Sequence, residues 1–306
     1  MSALIRSLAG RPLATYFTMA FGFSWAASFA ITGGKPADDS RLVLLGAAML
    51  IGPGFAAVVT TSLVSGRAGL RDLCAGLLRW NVGMRHYAFA LLACPFVTVG
   101  VIWGMSWFSP EAQAPILTTG HPWRLTASAL VAGLGVGLIE ELGWTGVVVP
   151  RMLCRHGTVA VGLSLGALWG LWHLVLFWRA DSFTGVFPLV LLLSQLFANL
   201  LALRVMLVWL YQHTHSLALP VLMHAGVVIS LILIEPSLDG GTSLAFILLR
   251  GTAWAGLAAL VVRSSRSRSE LRARSAPPSC GDPMPPSTAG ATLPAEPPPV
   301  GRAVSP

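Results

Sequence analysis

Apolar residues along this chain do not alternate with polar ones at the strand period, nor do they keep to a narrow helical stripe. They run almost unbroken for roughly 20 residues at a time and then give way to short polar breaks. Such runs fall near 13–32, 42–64, 87–108, 125–149, 158–178, 186–211, 217–235 and 243–262. Each is about the length that a helix rising ~1.5 Å per residue needs to cross a hydrocarbon core. In a bilayer only helices or a closed barrel satisfy the backbone internally, and unbroken runs exclude the two-residue alternation of barrel strands. The pattern therefore predicts an all-α, polytopic membrane protein of about eight transmembrane helices. The first run follows Arg6 and Arg11. It is as long as a span and has no clear small-residue cleavage site, so it reads as a retained helix rather than a signal peptide.

Beyond the last run the pattern changes character. From about Ser264 the chain turns to Ser, Arg and Pro, with PPSCGDPMPPS and EPPPVG segments, a composition that buries too little apolar surface to offset ordering entropy. The expected organisation is a transmembrane domain over 1–263, with its motif core at 125–235, and a disordered cytoplasmic tail over 264–306.

Composition agrees with the bilayer as solvent: 55% of residues are hydrophobic, 10% are charged and the mean hydropathy is +0.72. The net charge of +8 and pI near 10.3 raise the question of nucleic acid. The basic residues, however, sit in short loops and one tail, without a basic stripe or a nucleic-acid-binding signature, and no nucleic-acid partner is expected. Their distribution instead gives a topology. Fourteen Arg lie in one set of alternate segments (Arg6, Arg11, Arg67, Arg71, Arg79, Arg85, Arg151, Arg155 and six in the tail), against four basic residues in the other, Lys35, Arg41, Arg124 and Arg179. This bias places both termini in the cytoplasm, and an even number of spans independently requires them to share a side, in a protein integral to the cell (plasma) membrane. Cys74, Cys94, Cys154 and Cys280 are scattered and form no CxxC pair, so neither a disulfide framework nor a thiolate metal site is expected.

Ionisable residues within a span are costly and are functional candidates by default. Here they are Glu140, Glu141, His173, Arg204, His224 and Arg250. The adjacent carboxylates of GLIEELGWTG cannot both ionise easily in low dielectric without a nearby cation or a water-filled cavity. A carboxylate in such a setting suits a general base that takes a proton from water attacking a peptide carbonyl. An imidazole at His173 or His224 can bind a metal, activate water or donate to an oxyanion. His213 and His215 read as loop residues at the membrane edge. Trp169, Trp172 and Trp178 read as packing or interfacial aromatics, and GLGVG at 133–137 as a close helix contact.

Taken in order, EELGWTG at 140–146, LWGLWH at 168–173 and VWLYQHTHSLALPVLMHA at 208–225 resemble the three motifs of the CAAX protease and bacteriocin-processing family of intramembrane endopeptidases, type II CAAX prenyl endopeptidase-like proteins. The resemblance covers most of 42–235, including GPGFAAVVTT and the RDLCAGLLRWNVG loop. It implies a membrane-embedded peptide hydrolase in which Glu140 activates water and Glu141 supports it. His173 would hold that water or a metal, and His224 would stabilise the oxyanion. A divalent metal such as Zn2+ is compatible with the resemblance, with Glu140, His173 and His224 as its ligands, and no HExxH is present to decide the matter. The implied partners are membrane lipid and a membrane-associated or lipidated peptide, and bacterial members are also linked to bacteriocin maturation or self-immunity.

The chain departs from the usual motifs at three places. Thr145 stands where an Arg commonly follows the paired glutamates, which leaves a carboxylate without its cation. Arg204, mid-span in the sixth run and itself in need of a partner, is the expected replacement. Val228 stands one turn after His224 where relatives carry an Asn that shares in binding the oxyanion, and Asn199 or a backbone donor is the candidate substitute. Trp169 replaces a Phe, which reads as a mild exchange of aromatics and makes Trp169 a supporting residue. The competing reading is a catalytically silent relative that binds membrane partners or confers immunity. A proton-coupled transporter is disfavoured, because no duplicated halves are evident.

Overall fold

The structure is a computed structural model and describes residues 3–109 and 112–270. The chain divides into two units, 1–275 and 276–306, and the second lies outside the described residues. Every regular element in the described residues is helical. In chain order they are α1 (Ala3–Gly10), α2 (Pro12–Thr32), α3 (Leu42–Met49), α4 (Ile51–Leu77), α5 (Met84–Met105), α6 (Pro115–Thr118), α7 (Pro122–Gly143), α8 (Val149–Leu153), α9 (Thr158–Trp172), α10 (Leu174–Phe177), α11 (Val186–Phe197), α12 (Leu200–Thr214), α13 (Ala218–Leu233) and α14 (Gly240–Glu270). A π-helical turn over Trp144–Val148 joins α7 to α8.

The all-α, polytopic membrane architecture stands. Helix length and hydropathy do not by themselves establish the count of about eight spans. Among the described residues five stretches are long and apolar enough to cross a membrane: Leu42–Leu77, Met84–Met105, Pro122–Leu153, Val186–Thr214 and Gly240–Ser265. The expected spans at 158–178 and 217–235 are occupied by shorter apolar helices, Thr158–Trp172 and Ala218–Leu233. The first expected span is occupied by α2, whose hydropathy is lowered by Thr15, Ser24, Ser28 and Thr32, all of them buried. Helix α14 continues through Glu270, and the tail predicted to be disordered lies from 271 onward outside the described residues.

The core is built by helix pairs that approach closely enough to need glycine. On α7 a Cβ at Gly137 would stand 2.6 Å from the Val221 carbonyl oxygen of α13, and one at Gly133 would stand 2.8 Å from that of Ala225. On α9 a Cβ at Gly162 or Gly166 would meet the α12 backbone at Val205 Cα (2.5 Å) or Leu201 Cα (2.9 Å). In lipid there is little hydrophobic drive to bring two helices together, so van der Waals contact between small residues has to supply it. The GLGVG segment thus is a helix contact at its two outer glycines. These two seams bring the ends of α7 and α9 against α12 and α13, where the polar residues lie.

Candidate active site

Glu140 and Glu141 occupy the last turn of α7. Consecutive residues on a helix point roughly 100° apart, so the two carboxylates cannot serve the same face. Glu141 turns into the protein and is 0% exposed. Its Oε2 and Oε1 lie 2.9 and 3.1 Å from Arg204 Nη1 on α12. Oε1 also lies 2.7 Å from His224 Nδ1 on α13, and the Thr145 hydroxyl donates to Oε2. Thr145 belongs to the π-helical turn, a widened turn of a kind frequent at functional sites. The place of the missing motif Arg is therefore taken by two groups: a Thr hydroxyl from the same helix and a guanidinium from α12.

Glu140 turns the other way. It lines a cavity of about 590 Å³, together with Trp169, His173 and His224. Its Oε2 accepts a hydrogen bond of 2.7 Å from Trp169 Nε1. The remaining walls are mostly apolar and include Leu42, Leu50, Val131, Leu176, Val227 and Leu231.

Helix α9 ends beside this cavity. His173 closes it, with its backbone N–H 3.0 Å from Gly170 O and 3.3 Å from Trp169 O, and with ring Nδ1 2.8 Å from Trp169 O. The Trp25 indole of α2 donates to the Trp172 carbonyl (3.0 Å) and so ties down the same turn. A carbonyl and a carboxylate can only accept, so Nδ1 carries the proton in both imidazoles: His173 toward Trp169 O and His224 toward Glu141. Each ring keeps Nε2 for other work. Trp169, 1% exposed, stacks edge-on to both rings, with centroids 5.3 Å from His173 and 5.2 Å from His224. The Arg204 guanidinium lies over its face with Cζ 4.1 Å from the centroid, a contact worth about 2 kcal/mol when desolvated.

The structure thus brings Glu140, Glu141, Trp169, His173, Arg204 and His224 into one cluster. It does not group them as a metal site. Among the described residues no three His, Cys, Asp or Glu side chains are placed to hold a metal ion. Glu140, His173 and His224 therefore do not fit as the ligand set that the resemblance implies, and no step below passes through a metal.

Other expectations are refined. Trp169 is more than a packing aromatic, because its N–H is spent on Glu140. Sequence alone carries no sign of that bond beyond the exchange of Phe for a ring that has a donor. Asn199 lines the same cavity, yet its Oδ1 accepts from Arg250 Nε (3.1 Å). Arg250 in turn pairs with Glu235, an acidic residue just past α13 that hydropathy does not single out, although a mid-span Arg calls for a partner. Val228 lines the cavity and brings no donor. His213 and His215 lie at the end of α12, away from the cluster.

No curated protein matches the chain. Residues 122–230 match the family model described as type II CAAX prenyl endopeptidase Rce1-like. This segment holds both glutamates, Trp169, His173, Arg204 and His224, so that all six residues of the cluster lie in the part of the chain that is similar to the CAAX-type intramembrane proteases.

Proposed function

We propose that the protein hydrolyses a peptide bond of a membrane-associated or lipidated protein or peptide, using water activated by Glu140. The observation that carries this reading is the division of labour between adjacent carboxylates. Glu141 is consumed by Arg204, His224 and Thr145, whereas Glu140 faces a cavity that also receives both histidines. A water donating to Glu140 can give its second hydrogen to His173 Nε2, which aims a lone pair at the scissile carbonyl. As oxygen bonds to the carbonyl carbon, Glu140 takes the water proton. His224, when it carries a second proton at Nε2, donates to the oxyanion while Glu141 holds the far side of the ring. Glu140 then passes its proton to the departing amine as the C–N bond breaks. The apolar cavity walls favour a lipid-bearing substrate. The Arg distribution favours a plasma-membrane protein with both termini in the cytoplasm.

The test is cleavage of a panel of lipidated and membrane peptides by detergent-purified protein. The wild type should cleave, and Glu140→Gln should lower kcat by about 10²–10⁴-fold while leaving the thermal midpoint in place. A chelator should leave the wild-type rate unchanged, and loss of activity on chelation would overturn the water-only mechanism. Val228 on the cavity wall favours the alternative of a silent, partner-binding relative. A stable wild type inert toward the whole panel would decide for it.

A further inference from the structure

Two adjacent carboxylates share the neighbourhood of one buried cation, and nothing in α7 itself decides which of them Arg204 should take. Arg204 uses Nη1 on Glu141, while its Nε and Nη2 find no hydrogen-bond partner among the described residues. Unspent donors on a buried guanidinium are a standing attraction for a second carboxylate. The Trp169 indole touches both this cation and Glu140. Its face carries Arg204, with Cζ 4.1 Å from the centroid, and its N–H edge carries Glu140, at 2.7 Å. The same residue lends its backbone carbonyl to His173 Nδ1 and its ring edge to His224.

We infer that Trp169 is the positioning residue for the base: its indole N–H holds the Glu140 carboxylate on the cavity side while its face holds Arg204. This builds on the reading of Glu140 as the base. Only the N–H makes the assignment. A phenyl ring at 169 would still pack between the two histidines and still offer a face to Arg204, but Glu140 would lose its fixed donor. A hydrogen bond to a charged group of this kind accounts for roughly 10- to 100-fold in an equilibrium or a rate.

Two measurements on the full-length protein in detergent test the inference. In peptide-cleavage kinetics, Trp169→Phe should lower kcat by about 10- to 100-fold with KM within about twofold, whereas a merely structural role would move KM and the thermal midpoint together. Retention of wild-type kcat in Trp169→Phe would overturn it. The second measurement needs no catalysis. With the tryptophan indoles labelled with ¹⁵N, one indole N–H resonance should shift in Glu140→Gln and stay in place in Glu235→Gln, and that resonance should be the one missing from Trp169→Phe. If no indole resonance moves in Glu140→Gln, the positioning role is wrong whether or not the protein cleaves peptides. If the resonance moves and the wild type cleaves nothing, the positioning contact stands and the catalytic reading is what falls.

Discussion

Glu141 with Arg204 and Glu235 with Arg250 are both ion pairs set among apolar helices, yet they are built differently. The first is sealed, with both side chains 0% exposed, and the second keeps 16% and 22% of its side-chain surface open. A charge withdrawn completely from water has to be compensated within the protein. Glu141 accordingly has three donors, and Arg204 adds the Trp169 ring to its carboxylate. Arg250 needs less: one carboxylate, one amide oxygen and the edge of a cavity. The sealed pair holds the candidate cluster together through four helices, whereas Arg250 of the open pair borders the cavity that the cluster faces. Identical residue types thus serve as framework in one place and as wall in the other.

The comparison breaks most sharply at Arg204. Arg204→Leu leaves the Glu141 carboxylate buried without its cation, and breaking a pair of this kind costs about 3–5 kcal/mol. The expected outcome is a protein that unfolds at much lower temperature or fails to accumulate, read from thermal denaturation in detergent. Adding Glu141→Gln removes the stranded charge and should restore part of the loss. A single variant with an unchanged midpoint would show that Arg204 is not the cation holding Glu141.

Next in size is the seam that brings His224 to Glu141. Gly137 lies one turn before Glu141, and a Cβ there would stand 2.6 Å from Val221 O and 3.0 Å from Ala225 N. Because these are backbone atoms, no side chain can swing aside, and α13 itself must retreat. Gly137→Ala should lower stability by about 1–3 kcal/mol, the usual cost of overpacking. It should also lower activity, because the same displacement draws His224 off Glu141. Gly135 is the matched control on the same helix: a Cβ there would meet nothing within 4 Å, and the position should tolerate Ala.

How much of this is written in the sequence differs from residue to residue, for physical reasons. The membrane setting and the all-helical fold are legible because hydropathy is additive along a run. The number of full spans is not: hydropathy records the apolar stretch at 158–178 but not that the helix closes at Trp172 with His173 turning back on Gly170 and Trp169. Glu140, Glu141, His173 and His224 can be read as candidates because a charge or imidazole in lipid is costly wherever it sits. Arg204 can be matched to the Glu140–Glu141 pair because a missing cation and an unpaired one call for each other, but which of the two carboxylates it takes is visible only in the structure. Trp169 cannot be ranked correctly from one sequence. Whether an indole packs or donates depends on where its edge points, and that is fixed only once α9 meets α7. Glu235 escapes notice because it sits at the margin of a run, where an acidic residue looks like an ordinary loop residue.

The smallest expected effect belongs to the open pair and sharpens the comparison from the other side. Arg250→Met removes the guanidinium while keeping an apolar stem against Phe246, over whose ring Arg250 Cζ now lies at 4.9 Å. It leaves Glu235 with a fifth of its side chain already exposed, so this carboxylate can turn to water, as Glu141 cannot. Partly exposed pairs contribute about 0–1 kcal/mol, and the thermal midpoint should fall only slightly. Asn199 is freed at the same time, since its Oδ1 loses the Arg250 Nε–H, and its amide becomes available to the cavity it lines. If the open pair is only wall, Arg250→Met changes KM for membrane peptides more than kcat. A stability loss as large as that of Arg204→Leu would mean that exposure does not separate the two pairs, and that both belong to the framework.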